Sequence, residues 1–588
     1  MVDKYTYLAS HLYIYSQKYK DLKEKYKSIL DKKNNDLILK INNWYKRNNI
    51  ELTSVNFAYY SNNITSDDDK KINGIEYTPI NIADAMSAYI LNKTYNSNKK
   101  DLKIIDPAVG SGVMLVCIAR ELNKLTKKNI DAIIEDNLYG LDNDDFQVLL
   151  TEITLSILSL ENVNKLPTKI NVIKCDSFEL KEVDLINSFE TSEFDLVITN
   201  PPYIRSKNLN DKKKQIIKTK FKETVSGLID TYIPFFQVSM NLLKDNGQAI
   251  LITPNSYFTT NNGTKLRDYL LKNTSTIRLV NFNNKKLFNN IMSYSAITYF
   301  QKRLNNDTEN IQSIIVNLDD EYHYFNESEI QDVSIGDTWR ILRHDDIKII
   351  ERLENKFDCK LGDLKFKNGI ATQRNKIYSF VYTNEDKNYY YFNQNKSEVK
   401  IEKEITKPFI TPNQKEYDIK QRIIFPYHYD CNDKAKIIDE ETMRIKYPEA
   451  YKYLLSHKET LDKRSVDKNI PAWYAYGRSQ GLNDRGLRLY LPYIAAKVHT
   501  SISKDDEEVF AAGYAIFSDN KDYLAFLGDI LSSDLFAFYI KNVSKPYSEG
   551  FYSTAKSQIK NFSIPSEIEF ETKYKINWNA EKINELYK

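Results

Sequence analysis

Residues 103–125 read KIIDPAVGSGVMLVCIARELNKL. A short apolar run ends on Asp106, a Pro-Ala-Val-Gly-Ser-Gly turn follows, and apolar residues then recur at helical spacing. The stretch therefore predicts strand, glycine loop and helix in succession. Glycines at 110 and 112 let a small ligand approach the backbone, which suits a nucleotide-like group at the carboxyl end of a strand. The loop has neither the GxGxxG dinucleotide fingerprint nor the GxxxxGK[ST] phosphate loop, so a dehydrogenase or an ATPase is not the natural reading. A purely structural turn is the alternative.

Working outward, NLYGLD (137–142), FQVLLTEITLSILSL (146–160), NVIKCD (171–176) and FDLVITN (194–200) continue the alternation of short apolar strands with helices. That order favours a parallel sheet covered by helices, with its polar strand ends gathered along one edge. Asp142 and Asp176 each close an apolar run. The first suits a ribose hydroxyl and the second an adenine amine, although a lone acidic residue after a strand is more often a solvated turn residue.

FDLVIT leads directly into Asn200-Pro201-Pro202-Tyr203, which couples a planar amide to rigid prolines and an aromatic ring. The Asn200 carbonyl and the Pro201 backbone carbonyl are placed to accept hydrogen bonds from a nucleobase amine, and Tyr203 to stack on the base. A proline turn with Tyr203 in the core is the competing reading.

Taken together, residues 72–302 resemble the catalytic domain of the gamma-class adenine-specific DNA methyltransferases of restriction-modification systems. DPAVGSG resembles the family's methyl-donor motif, with valine where a small residue or cysteine is common, and NPPY matches its catalytic motif. Tyr77-Thr78-Pro79, upstream of both, matches another cofactor-side motif. The resemblance implies an α/β, Rossmann-like core that uses S-adenosyl-L-methionine and no metal. Asp106, Pro107, Ala108, Gly110 and Gly112 would surround that cofactor, Asp142 would hold its ribose, and Asp176 and Phe178 would meet its adenine. Asn200, Pro201, Pro202 and Tyr203 would orient a flipped adenine for transfer to its exocyclic N6 amine. Phe288, in KLFN before SAITYF, is a second candidate for stacking on that base, with core packing of Phe282 or Phe288 as the alternative.

Further along, NGIATQRNKIYSF (368–380) and WYAYGRSQ (473–480) resemble segments of a TaqI-like DNA-recognition domain. Arg374, Lys376, Arg478 and Gln480 are its candidate phosphate or base contacts, with plain surface charge as the alternative for the basic residues, and Gly369, Thr372 and Asn375 its candidate turn and DNA-contact residues. Lys207 and the run KKKQIIKTKFK (212–222) lie just after NPPY and would either neutralise phosphates or form a solvated helical face.

The chain's 588 residues exceed one domain, and the expected division is an N-terminal helical accessory region (1–71), the methyltransferase core (72–302), a connecting segment (303–339) and a mixed α/β recognition domain (340–588). With 83 basic and 80 acidic residues the net charge is +3, so any DNA-binding face must be local. Four dispersed cysteines give no disulfide framework or zinc spacing, and no signal peptide or membrane span is evident, so a cytoplasmic protein is expected. Double-stranded DNA is the expected partner of a monomer, with a separate cognate restriction endonuclease. An RNA or protein methyltransferase and a bifunctional restriction-modification enzyme remain open.

Overall fold

The strand that opens the glycine loop, Ile104, Ile105 and Asp106, is buried throughout and stops where Pro107 has no N–H to extend the ladder. In the computed structural model it forms β1 (Ile104–Asp106) of a nine-stranded sheet. The structure describes residues 3–61, 78–95, 101–282, 295–304, 311–317, 329–394, 397–412, 420–468, 470–504, 506–545, 547, 550–576 and 578–588. Beside β1 lie β2 (Leu138–Asp142), β3 (Asn171–Lys174), β4 (Phe194–Thr199), β5 (Leu243–Pro254), β6 (Thr274–Asn281), β7 (Ser295–Lys302), β8 (Ser313–Asn317) and β9 (Glu329–Asp332), in the spatial order 3-2-1-4-5-7-6-8-9.

Parallel pairing joins β3, β2, β1, β4 and β5, and β7 runs antiparallel between β5 and β6. Every residue of β4 is buried, as a strand covered on both faces requires, and each of Leu196, Val197 and Ile198 contributes roughly 1.5–3 kcal/mol by leaving water. Helices Val113–Thr126 and Tyr232–Leu242 supply core residues to the two faces.

The stretch 303–339, read from the sequence as a connecting segment, carries two strands of the same sheet. β8 pairs parallel with β6, and β9 antiparallel with β8. In SIIVN only three apolar residues stand between Ser313 and Asn317, too few to show a period by themselves. The first compact unit accordingly runs from Met1 to His344, and the second from Asp345 to Lys588.

The N-terminal helices are part of the first unit. Leu8, Leu12, Tyr15, Leu22, Ile41 and Phe57 form one core with Phe146, Leu150, Ile153 and Ile157 of the helix Asp145–Val163. That 19-residue helix is long and apolar enough to cross a membrane by length and composition, yet two-thirds of its apolar window is buried inside the fold.

In the second unit, strands Lys365–Asn368, Gly513–Phe517, Arg488–Pro492 and Ser501–Ile502 form a four-stranded sheet beside a tyrosine-rich core. The hydroxyls of Tyr474 and Tyr476, both buried, donate to the carbonyls of Ile438 and Ile424 at 2.6 and 2.7 Å. KNGIATQRNKIYSFVY, read as strand-like around a glycine turn, contains a helical turn at Asn375–Tyr378 between two short strands. Arg374 N–H donates to the Thr372 hydroxyl there, diverting the backbone from the ladder.

One buried cation ties the far side of the first unit together. Arg267, 1% exposed, donates to the carbonyls of Asp337, Tyr257 and Thr260 and to the Thr264 hydroxyl. Replacing it by methionine keeps the volume but removes those donors, so Arg267→Met should cost about 3 kcal/mol, read as a fall in the urea midpoint of the first unit's unfolding.

Candidate active site

β1 and β4 are adjacent and parallel, with Ile104 opposite Leu196 and Ile105 opposite Val197. Their carboxyl ends therefore lie side by side at the point where the strand order turns from β2 on one flank to β5 on the other, the position at which open α/β sheets bind ligands. Asp106 ends β1, and Asn200 immediately follows β4. The ends of β2 and β3 add Asp142, opposite Lys174, and Asp176 two residues beyond.

The glycine loop is held from beneath by these acids. Asp106 accepts from Ala108 N–H at 2.9 Å, and Asp142 accepts from Gly110 N–H and Asp144 N–H, each at 3.0 Å. The Thr151 hydroxyl donates to Gly110 O at 2.8 Å, and that of Ser177 to Pro107 O at 2.5 Å. Gly110 and Gly112 have φ of +55° and +84°, and a Cβ on Gly112 would lie 3.0 Å from Thr151 Cγ2, so the second glycine is required on two grounds. Burial pushes the Asp106 carboxyl up to about 7, and also raises that of Asp142. Three carboxyl groups ending three neighbouring strands, around a loop of left-handed glycines, fit a cationic ligand bearing hydroxyl and amine donors, as S-adenosyl-L-methionine is.

Asp176 accepts from Phe178 N–H at 3.0 Å and is paired with the Lys213 ammonium, which lies 4.9 Å above the Phe178 ring. Phe178 itself is 5% exposed, edge-on to Phe221 and Phe235 in the core. Lys213 belongs to the basic run, on helix Asp211–Lys220, but turns inward, and burial pulls its ammonium down to about 8. Lys207 is exposed.

At the end of β4, Asn200 Nδ2 donates to the Thr78 hydroxyl oxygen at 3.1 Å, and Asn200 Oδ1 lies 2.7 Å from the Tyr203 hydroxyl. That hydroxyl is also 3.0 Å from the Ile252 carbonyl. Tyr203 thus stands with its hydroxyl on the Asn200 amide, its ring edge-on to Tyr232 and its flank against both cores of the sheet. Pro201 is buried and Pro202 partly so. Thr231 clasps the loop: its hydroxyl donates to Pro202 O at 2.5 Å and accepts from Ile204 N–H at 2.8 Å. A threonine ahead of the apolar run YIPFF signals a helix cap, and here its hydroxyl serves the loop instead. Tyr77 and Phe288 lie outside the described residues.

In the second unit the two motif segments meet. Gly477 N–H and Arg478 N–H donate to the carbonyls of Thr372 and Ala371, and Gln480 Nε2 donates to Gly369 O at 2.8 Å. Arg478 is paired with Asp467 at 2.5 Å, whereas Arg374 and Lys376 are exposed. A Cβ on Gly369 would come within 2.4 Å of Phe510 O. Arg464, which nothing local in the sequence marks, is buried and donates to the carbonyls of Thr372 and Trp473.

Comparison with known proteins finds similarity to restriction-modification methylases. Residues 136–288, which carry β2 to β6 and the NPPY loop, match the Eco57I restriction-modification methylase family. The Type II restriction enzyme and methyltransferase RM.Eco57I of Escherichia coli is 27% identical over 334 residues, which is 53% of this chain and 33% of that protein. The Type II methyltransferase M.BanIII of Aneurinibacillus aneurinilyticus is 24% identical over 460 residues, 69% of this chain and 73% of its own. The chain thus spans a third of the Escherichia coli protein's length. Among solved structures, the Type IIL restriction-modification enzyme MmeI in complex with DNA aligns over 89% of this chain and 72% of its own, at a TM-score of 0.58 and 14% identity, a likeness of fold.

The clasp on the NPPY loop yields a direct test. Thr231→Val removes one acceptor and one donor, worth about 1.4 kcal/mol, so exchange of the Ile204 amide with deuterium should quicken roughly tenfold, with Thr231→Ser close to the unaltered protein.

Proposed function

We propose that this chain is an S-adenosyl-L-methionine-dependent, adenine-specific DNA methyltransferase of a restriction-modification system, of gamma-class motif order, with residues 345–588 serving as a TaqI-like recognition region for double-stranded DNA. The observation that carries the reading is the Asn200 amide at the end of β4, beside the acid-braced glycine loop at the end of β1. A cognate endonuclease would be a separate partner, and methylation would protect the site from it. The enzyme is taken to act as a cytoplasmic monomer.

When bound, the cofactor supplies a methyl group made electrophilic by its sulfonium. Asp106, Asp142 and Asp176 would hold its cationic, ribose and adenine portions, and Asp176 would exchange its lysine partner for the adenine amine. The Asn200 carbonyl and the Pro201 carbonyl would accept the two hydrogens of the target's exocyclic amine, directing its lone pair at the methyl carbon without prior deprotonation. The extrahelical adenine leaves its stack at a cost of a few kcal/mol, part of which aromatic contact in the pocket offsets. Arg374, Lys376 and Lys207 are the exposed cations suited to phosphates, while Arg478 and Gln480, bonded within the domain, would shape the reading surface rather than reach from it.

Incubating the protein with tritiated donor and unmethylated DNA rich in adenine contexts should label N6 of adenine, and Asn200→Ala should abolish labelling while DNA binding in a gel shift persists. No incorporation by the unaltered protein across such a pool would sink the reading. Because a protonated Asp106 offers no charge to a cationic ligand, donor affinity measured calorimetrically should rise as pH increases through about 7 and then level off. Asp106→Asn should be weaker and flat over the same range.

A further inference from the structure

Thr78 belongs to the Tyr-Thr-Pro motif whose family resemblance places it on the cofactor side, yet the structure bonds it to the amide at the heart of the transfer site. It is 6% exposed, and it immediately precedes Pro79, the N-cap of the helix Ile80–Thr94. A residue before proline is held in the extended region, so the Thr78 backbone has little freedom to carry its hydroxyl elsewhere. Its oxygen accepts from Asn200 Nδ2 at 3.1 Å, while the other end of that amide meets the Tyr203 hydroxyl at 2.7 Å. A side-chain amide has one donor end and one acceptor end. Tethering the NH2 end to Thr78 directs the carbonyl end away from the Ile80–Thr94 segment. The Tyr203 hydroxyl has the Ile252 carbonyl as a second acceptor at 3.0 Å, so its proton can turn there without any movement of the ring.

We propose that Thr78 is a positioning residue for the Asn200 amide, holding its carbonyl end toward the target amine, with the Tyr203 hydroxyl closing the other end of the clamp until the substrate arrives. The assignment rests on the adenine-methyltransferase reading above. It differs from a cofactor-binding role in where its loss is felt: in the transfer step, with donor affinity intact.

Thr78→Val keeps the shape and the β-branch but removes the acceptor, and Thr78→Ser keeps the acceptor. With donor and DNA saturating, the single-turnover rate of Thr78→Val is expected to fall roughly tenfold to a hundredfold, the scale of a displaced reacting group. The donor dissociation constant by calorimetry, DNA binding and the melting temperature should stay at the values of the unaltered protein. Thr78→Ser should recover most of the rate. A Thr78→Val protein that transfers methyl at the unaltered rate, or one whose defect disappears at high donor concentration because the donor dissociation constant has risen, overturns the assignment alone. An unaltered protein that transfers no methyl to DNA overturns the adenine-methyltransferase reading, and the assignment falls with it.

Discussion

The parallel pairing of β1 with β4 is the constraint on which the site depends. Two hydrogen-bonded strands lie only about 4.8 Å apart, and parallel pairing sends their carboxyl ends to the same edge. The register of Ile104 with Leu196 therefore brings Asp106 and Asn200 to one edge, although 94 positions separate them in the chain. Antiparallel pairing would send the two ends to opposite sides of the sheet. The helices on both faces, the buried hydrophobic β4 and the long crossovers are what a parallel pair demands, and they leave the strand ends as the place where polar side chains can gather.

Around that edge, polar groups hold one another rather than pointing loosely into space. Asp142 braces the glycine loop through Gly110 N–H, Thr231 clasps the proline loop, and Lys213 is paired with Asp176. Buried carboxylates held in this way carry a smaller desolvation cost than bare ones would. The second unit uses a similar device: Arg464 and the backbone bonds at 477 and 478 tie its two motif segments together, so its candidate contacts are mounted on a braced turn.

How much of this was legible in the sequence follows from how local each signal is. The strands around Ile105, Leu141 and Val197 were readable because each is a short apolar run closed by a polar residue at a turn. Asp106, Asp142, Asp176 and Asn200 could be named because position at a strand end is itself a local signal. β8 was missed because a five-residue strand is recognised by its neighbour β6, which lies some 30 residues upstream. Lys213 was legible only as one lysine in a basic run, since its inward turn depends on Asp176, 37 residues earlier. The same holds for Thr78: the motif was visible, but its bond to Asn200 spans 122 positions. What a motif looks like is written locally, whereas what it touches is decided by the sheet.

The packing of the N-terminal helices on Asp145–Val163 has a consequence for the chain's modularity. The buried side of that helix is shared, with β3 and the sheet on one hand and Leu12, Tyr15 and Phe57 on the other. A shortened chain beginning near residue 72 would retain every residue assigned to transfer and yet bare a row of large apolar side chains, Phe146, Leu150, Ile153 and Ile157, to water. The boundary at which the motifs begin is therefore not the boundary at which a stable body begins. Insertion, deletion or exchange of modules in this protein is constrained by the oily back of one helix as firmly as by the polar residues at the strand ends.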